Sequence, residues 1–175
     1  MTGINAPRPP AKPGDFYCRS QAAADTSNHL AVSVQAINQL SSPDGPPQLA
    51  IYSGDTFGNL TTTSTAANMP ATAVGNLFFV RMSPSGKLLA VAGQGGLRVF
   101  HVNGGSPITP YTGLLTTDDI EQCFWDNANH LYAISQNKGR LRVFTITPTS
   151  ITQTGPPYNL PLSPYGTKGL IVVSK

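Results

Sequence analysis

Two stretches of this chain lie over one another residue for residue. Met82-Ser83-Pro84-Ser85-Gly86-Lys87-Leu88-Leu89-Ala90-Val91-Ala92 sets against Trp125-Asp126-Asn127-Ala128-Asn129-His130-Leu131-Tyr132-Ala133-Ile134-Ser135. Gly96-Leu97-Arg98-Val99-Phe100 sets against Arg140-Leu141-Arg142-Val143-Phe144. The offset is 43 residues from Met82 to Trp125 and 44 from Leu97 to Leu141. A period of that size, filled with short strands, is what one four-stranded blade of a β-propeller requires.

The best-defined unit spans 76–115. Strand one is expected at 77–81, followed by Pro84-Ser85-Gly86, where Pro presets one turn dihedral and Gly relieves another. Strand two, 88–92, is continuously apolar, the pattern of a strand buried on both faces. Gly93-Gln94-Gly95-Gly96 turns into strand three at 97–102, and Asn103-Gly104-Gly105 into a more polar strand four at 107–114. The next unit repeats the plan with strands at 121–125, 130–135, 140–146 and 150–154. The first unit places strands two to four at 29–34, 48–52 and 60–65, strand one near 16–21, and a loop of Ser, Pro, Asp and Gly at 38–47. A last unit begins at 161 and supplies only a turn and an inner strand.

The expected fold is therefore all-β: β-propeller blades of four antiparallel strands, about three and a half of them, as a partial or open propeller. The blades fall at 16–70, 76–115, 121–158 and 161–175. Propellers have four to eight blades, so the expectation is part of a larger ring, with self-association through open blade edges as the other outcome. Residues 1–15 carry four prolines and read as a flexible tail, not a signal peptide. An extracytoplasmic place stays open if sequence precedes them.

Composition excludes several classes. Charged residues make up 11%, against roughly a quarter in an average domain, and Thr, Ser, Asn and Gln supply the polarity. The net charge of +3 is spread along the chain, its densest stretch being Lys138, Arg140 and Arg142 around one turn. That is not the basic face with stacking aromatics of a nucleic-acid binder. No run reaches the ~18 apolar residues of a membrane helix. Cys18 and Cys123 fall in different units and read as separate thiols, and no Cys/His spacing suggests zinc.

Ser83-Pro84-Ser85-Gly86-Lys87-Leu88-Leu89-Ala90-Val91, Leu97-Arg98-Val99-Phe100-His101-Val102 and Gly105-Ser106-Pro107-Ile108-Thr109-Pro110 together resemble the blade pattern of the lactonase-like, YVTN-type bacterial seven-bladed propellers, a grouping that includes 6-phosphogluconolactonase-like proteins. The resemblance covers about residues 16–175 and corresponds to a C-terminal portion of such a ring. It implies the fold and, by analogy, a lactonase-type hydrolase. No catalytic residue of that family maps by motif onto this chain. Trp125-Asp126 ends strand one, not strand three, so a WD-repeat assignment is rejected.

Of the chemistry-bearing residues, Asp118, Asp119 and Glu121 stand out. They join strand four of one unit to strand one of the next, on the rim that also carries the strand-two-to-three turns. Three carboxylates in four residues can hold a hard cation such as calcium or split into acid and base roles. The plainer reading is a solvated acidic turn. Gln94, Gln136, Lys138 and Arg140 sit on the turns of the same rim and complete the set of candidate ligand contacts. His29, Lys87 and His130 read as one turn-exit position seen three times, and His101 as structural. Arg98 and Arg142 hold matching places on strand three, their stems expected to pack between blades. Gly93-Gln94-Gly95-Gly96 lacks a phosphate-cradle spacing, no Gly-x-Ser-x-Gly elbow is present, and Asn59-Leu60-Thr61 is a sequon that matters only in a glycosylating compartment. With no catalytic constellation, the expected function is a binding or scaffold module whose rim takes a protein or a small molecule. The alternative is a lactonase-like hydrolase or an inactive relative. No cofactor is called for.

Overall fold

The structure is a computed structural model that describes residues 21–37, 43–135, 137–147 and 149–161. Among them every regular element is a strand. The strands are β1 (Ala22–Ala24), β2 (His29–Ile37), β3 (Pro43–Gly54), β4 (Leu60–Thr62), β5 (Leu77–Met82), β6 (Leu88–Gly93), β7 (Gly96–Asn103), β8 (Ser106–Thr116), β9 (Gln122–Trp125), β10 (His130–Ser135), β11 (Arg140–Ile146), β12 (Ile151–Gln153) and β13 (Tyr158–Asn159). They form antiparallel sheets in the orders β1-β2-β3-β4, β5-β6-β7-β8 and β9-β10-β11-β12, with β13 also paired to β11.

The sheets stack face to face, and strand alternation decides which side chain goes where. On β6, Leu88, Ala90 and Ala92 join a cluster with Cys123, Trp125, Leu131, Ala133 and Phe144 of the third sheet. Leu89 and Val91, pointing the other way, join Ala31, Leu49 and Ile51 of the first. Every residue of β6 is buried, which is why its sequence shows no polar alternation. Each such fully buried Leu or Val contributes roughly 1.5–3 kcal/mol of apolar burial. The first strands β1, β5 and β9 run beside one another along one side of the stack.

Four expectations are corrected. The first sheet's strand one pairs at Ala22–Ala24, opposite Leu30 to Val32, whereas 16–20 lie outside the described residues. The expected 38–47 loop is in part hairpin arm: Ala36 pairs with Asp44 and Ile37 with Pro43, past a bulge that lets the strands run on. Strand four is interrupted in the outer sheets. In the first, β4 stops at Thr62 and the chain returns to bridge Ala71 with Gln48. In the third, β12 covers one end of β11, Gly155-Pro156-Pro157 breaks the strand, and β13 covers the other. Proline lacks the ladder donor, so the strand leaves and rejoins.

The fourth correction concerns the matched turns. Val102 donates its N–H to the Lys87 carbonyl, as Gly54 does to Asn28 and Ile146 to Asn129. Lys87 therefore stands opposite the asparagines, and Leu88 holds the place of His29 and His130. The Ser83–Leu88 turn has one residue more than the others, and a serine hydroxyl caps it where an aspartate caps its counterparts. The inner strand expected beyond Pro161, and Cys18, lie outside the described residues.

Candidate functional site

One rim of the stack gathers the β6–β7 and β10–β11 turns with the links that lead into β5 and β9. In the link between β8 and β9, Ile120 is fully buried and donates its N–H to the Gly93 carbonyl at 3.1 Å, so its neighbours are held at fixed directions. Asp118 Oδ2 accepts from Arg142 Nη2 at 2.7 Å and Nε at 3.2 Å. Asp119 Oδ1 accepts the Gly95 N–H at 2.7 Å, and its Oδ2 accepts from Asn137 Nδ2 at 3.1 Å. Asp119 thereby staples the two rim turns to one another. Gln94 accepts from Asn76 Nδ2 at 3.1 Å and ties its turn to the link before β5. These carboxylates do not converge, and among the described residues no group of three His, Cys, Asp or Glu side chains is placed to hold a metal ion.

Lys138 and Arg140 are exposed at the β10–β11 turn, Arg140 paired in the ladder with Asn159. Gln136 lies outside the described residues. Arg98 donates through Nε to the Thr112 carbonyl at 2.8 Å and through Nη1 to Ala71 at 3.3 Å, its guanidinium 5.0 Å from the Phe100 ring. Arg142, in the matching place, serves Asp118 and Gln153 instead.

Glu121 goes elsewhere. With Gln21, Phe78 and Phe79 it lines an open cleft of about 410 Å³ where β1, β5 and β9 begin. A bulge explains the two rings. Leu77 pairs with Gly93 and Phe79 with Ala92, leaving Phe78 as the extra residue of β5. In a regular strand consecutive side chains face opposite ways; the bulge re-aims one so that both phenylalanines reach the cleft. Arg81 lies with its guanidinium 5.1 Å from the Phe79 ring centroid. Sequence reasoning placed Glu121 on this rim but missed Phe78, Phe79 and Gln21; the Phe-Phe doublet opposite a glycine was the available signal.

The opposite rim carries a motif the sequence shows twice, an Asp four residues before a His with Asn between them, at Asp25–His29 and Asp126–His130. Asp25 Oδ1 accepts the N–H groups of Ser27 and His29, each at 2.8 Å, and its Oδ2 meets His29 Nδ1 at 2.8 Å. Asp126 does the same for Ala128, His130 and the His130 ring, the last at 2.7 Å, and also accepts from the Tyr132 hydroxyl at 3.2 Å. The asparagine of each turn takes φ +64°, the left-handed conformation that Asn tolerates. Burial pushes both carboxyls up, but the His29 or His130 N–H and ring, with the second backbone donor, pull them below their usual value. Burial and the Asp126 charge raise the Tyr132 hydroxyl. His101 packs against Tyr111, ring centroids 4.1 Å apart and the rings tilted by 45°.

No family model matches the chain, and no curated protein matches it. Solved structures do. The periplasmic gluconolactonase of Pseudomonas aeruginosa, PpgL, is similar with a TM-score of 0.53 and 14% identity, over 85% of this chain and 44% of that one. At such identity the likeness concerns the fold alone: this chain has a lactonase-like propeller fold and spans less than half the length of that neighbour.

Proposed function

We propose that this chain is a propeller-type binding module, part of a larger ring, that takes a small molecule in the cleft at Gln21, Phe78, Phe79 and Glu121. The observation that carries the reading is the β5 bulge, which gives up ladder regularity to bring two aromatic rings beside a carboxylate. A volume of about 410 Å³ falls in the usual range of small-molecule sites, where apolar walls provide contact area and few polar groups fix orientation. Asp118 and Asp119 support the site from behind by holding the link that ends at Glu121.

The test is a thermal-shift screen of small polar and aromatic compounds against the wild type, Phe78→Ala and Glu121→Gln. A compound whose shift disappears in both variants and survives in Lys138→Ala supports the cleft. A compound set that shifts all four equally sinks it.

A second reading, a lactonase-like hydrolase, draws on the similarity to the gluconolactonase fold. In it Glu121 acts as general base, taking a proton from the water that attacks the lactone carbonyl, whose ring oxygen leaves as the hydroxyl of a hydroxy acid. Lactone turnover abolished in Glu121→Gln favours it; turnover no faster than buffer leaves the binding module.

A further inference from the structure

We propose that Asn103-Gly104, at the tip of the β7–β8 hairpin, is a self-modifying site: it closes to a succinimide, reopens with water to aspartate or isoaspartate, and in the isoaspartate form releases the clasp that the tip makes on the first sheet.

Asn103-Gly104 is the one Asn-Gly step in the chain. The reaction is an attack by the backbone nitrogen that follows asparagine, and glycine leaves that nitrogen uncrowded. The fold keeps both partners available. Asn103 ends β7, pairs with Ser106 across the turn and is exposed. Gly104 and Gly105 form the two-residue tip, with Gly104 at φ +61°. Among the described residues the Gly104 N–H has no acceptor. The Asn103 carboxamide reaches Thr109 Oγ1 at 3.5 Å, longer than an ordinary hydrogen bond. Other asparagines are tied down. Asn59 Nδ2 donates to Asp55 at 2.8 Å, Asn68 Nδ2 to the Thr63 carbonyl at 3.0 Å, and Asn137 Nδ2 to Asp119 at 3.1 Å. Each of these three precedes a residue with a bulky side chain: Leu60, Met69 and Lys138.

The chemistry needs only water. Hydroxide takes the Gly104 amide proton, and the nitrogen bonds to Asn103 Cγ. The Cγ–Nδ2 bond breaks, and Nδ2 leaves as ammonia with a proton from water. Water then adds to either ring carbonyl. Breaking the new nitrogen–Cγ bond gives aspartate on the original backbone. Breaking the bond from nitrogen to the main-chain carbonyl carbon gives isoaspartate, whose backbone runs through Cβ and Cγ and is one atom longer. Nothing is oxidised or reduced.

That extra atom falls where the second sheet grips the first. The Gly105 carbonyl accepts from Thr63 Oγ1 at 2.6 Å. A Cβ on Gly105 would overlap Ser53 Oγ, and one on Gly104 would lie 3.6 Å from His29 Nε2. The tip therefore lies with its bare backbone against the first sheet and has no slack. A lengthened backbone carries Gly105 away from Thr63, whereas plain aspartate leaves the path of the chain unchanged.

The test incubates the 175-residue protein at mildly alkaline pH, folded and, in parallel, in urea. Peptide mapping with electron-transfer fragmentation tells aspartate from isoaspartate. In the folded protein Asn103 should convert ahead of every other asparagine, its peptide heavier by about one dalton, and faster as pH rises. Asn103→Gln should lose the conversion, because its longer side chain must close a larger ring. The isoaspartate form, isolated by chromatography, should melt below the fresh protein, and Asn103→Asp should fall less. Thr63→Val, with the clasp already gone, should start lower and fall little further on conversion. Asn103 that stays intact in the folded chain while it converts in urea would overturn the proposal. So would an isoaspartate form as stable as the fresh protein, or a fall undiminished in Thr63→Val.

Discussion

The indole N–H of Trp125 donates to the main-chain carbonyl of Arg81 across two sheets, at 3.1 Å. Trp125 sits at the end of β9 and Arg81 near the end of β5, so the bond links neighbouring first strands where no ladder joins them. The indole is 5% exposed and packs in the cluster between the second and third sheets. Trp125→Phe keeps an aromatic ring and removes the donor, while Arg81 stays paired with Ala90 in the β5–β6 ladder. We expect a loss of about 0.5–1.5 kcal/mol in denaturant unfolding, the net worth of one hydrogen bond. A variant as stable as the wild type would mean that the indole bond adds nothing to the ladder.

Gly93 and Gly58 separate two reasons for glycine. A Cβ on Gly93 would overlap the Asn76 carbonyl oxygen, a backbone atom that cannot swing aside. Gly58 takes φ +84° with nothing within 4 Å of the Cβ position. Gly58→Ala should cost about 1 kcal/mol, the left-handed penalty alone. Gly93→Ala should cost more and also disturb the rim, where Gln94 and Ile120 are fastened. Equal losses from the two, measured by thermal unfolding, would contradict the close approach.

Acid should loosen the Asp-His turns. The folded Asp25 and Asp126 carboxyls titrate below the 3.8 of the free group, so their stabilisation is present above that value and is lost as pH falls through the folded values. Stability to denaturant should hold from pH 7 to about 5 and decline below about 4. In Asp25→Asn/Asp126→Asn the decline should be shallower. The starting stability should be lower, because a neutral amide accepts hydrogen bonds from the same donors more weakly than a carboxylate does. A double variant with the wild-type slope would place the acid lability elsewhere.

Burial pushes the Cys123 thiol up to about 12, with the Arg81 charge opposing only in part. At around neutral pH it carries almost no thiolate. Peptide mapping after iodoacetamide treatment should find Cys123 unmodified in the native protein and fully modified in denaturant. Fast labelling of the folded chain would show that β9 opens readily.

Much of the fold was legible because it is written in local chemistry. The continuous apolar run from Leu88 to Ala92 announces burial on both faces, and both faces are buried. Pro84-Ser85-Gly86 and Asn103-Gly104 mark turns that the strands do make, with Gly86 at φ +67° and Gly104 at +61°. Sequence matching fails where the number of residues in a turn matters. Lys87 aligns with the histidines along the chain, yet the longer serine-capped turn shifts it by one.

The candidate site was legible in part. Asp118, Asp119 and Glu121 read as one acidic group in the sequence, and the fold separates them: Asp118 to Arg142, Asp119 to Gly95 and Asn137, Glu121 to the cleft. Arg142 and Asp118 are 24 residues apart, a distance over which sequence carries no pairing signal.

By itself the sequence determined strands, turns and which residues enter a core, since period-two alternation, Pro and Gly dihedrals and apolar runs act over a few residues. Only the tertiary structure decided which carboxylate meets which partner, where strand four breaks, and that Phe78 turns beside Phe79. Those depend on register between strands distant in sequence, and a slip of one residue there reverses the face on which a side chain emerges.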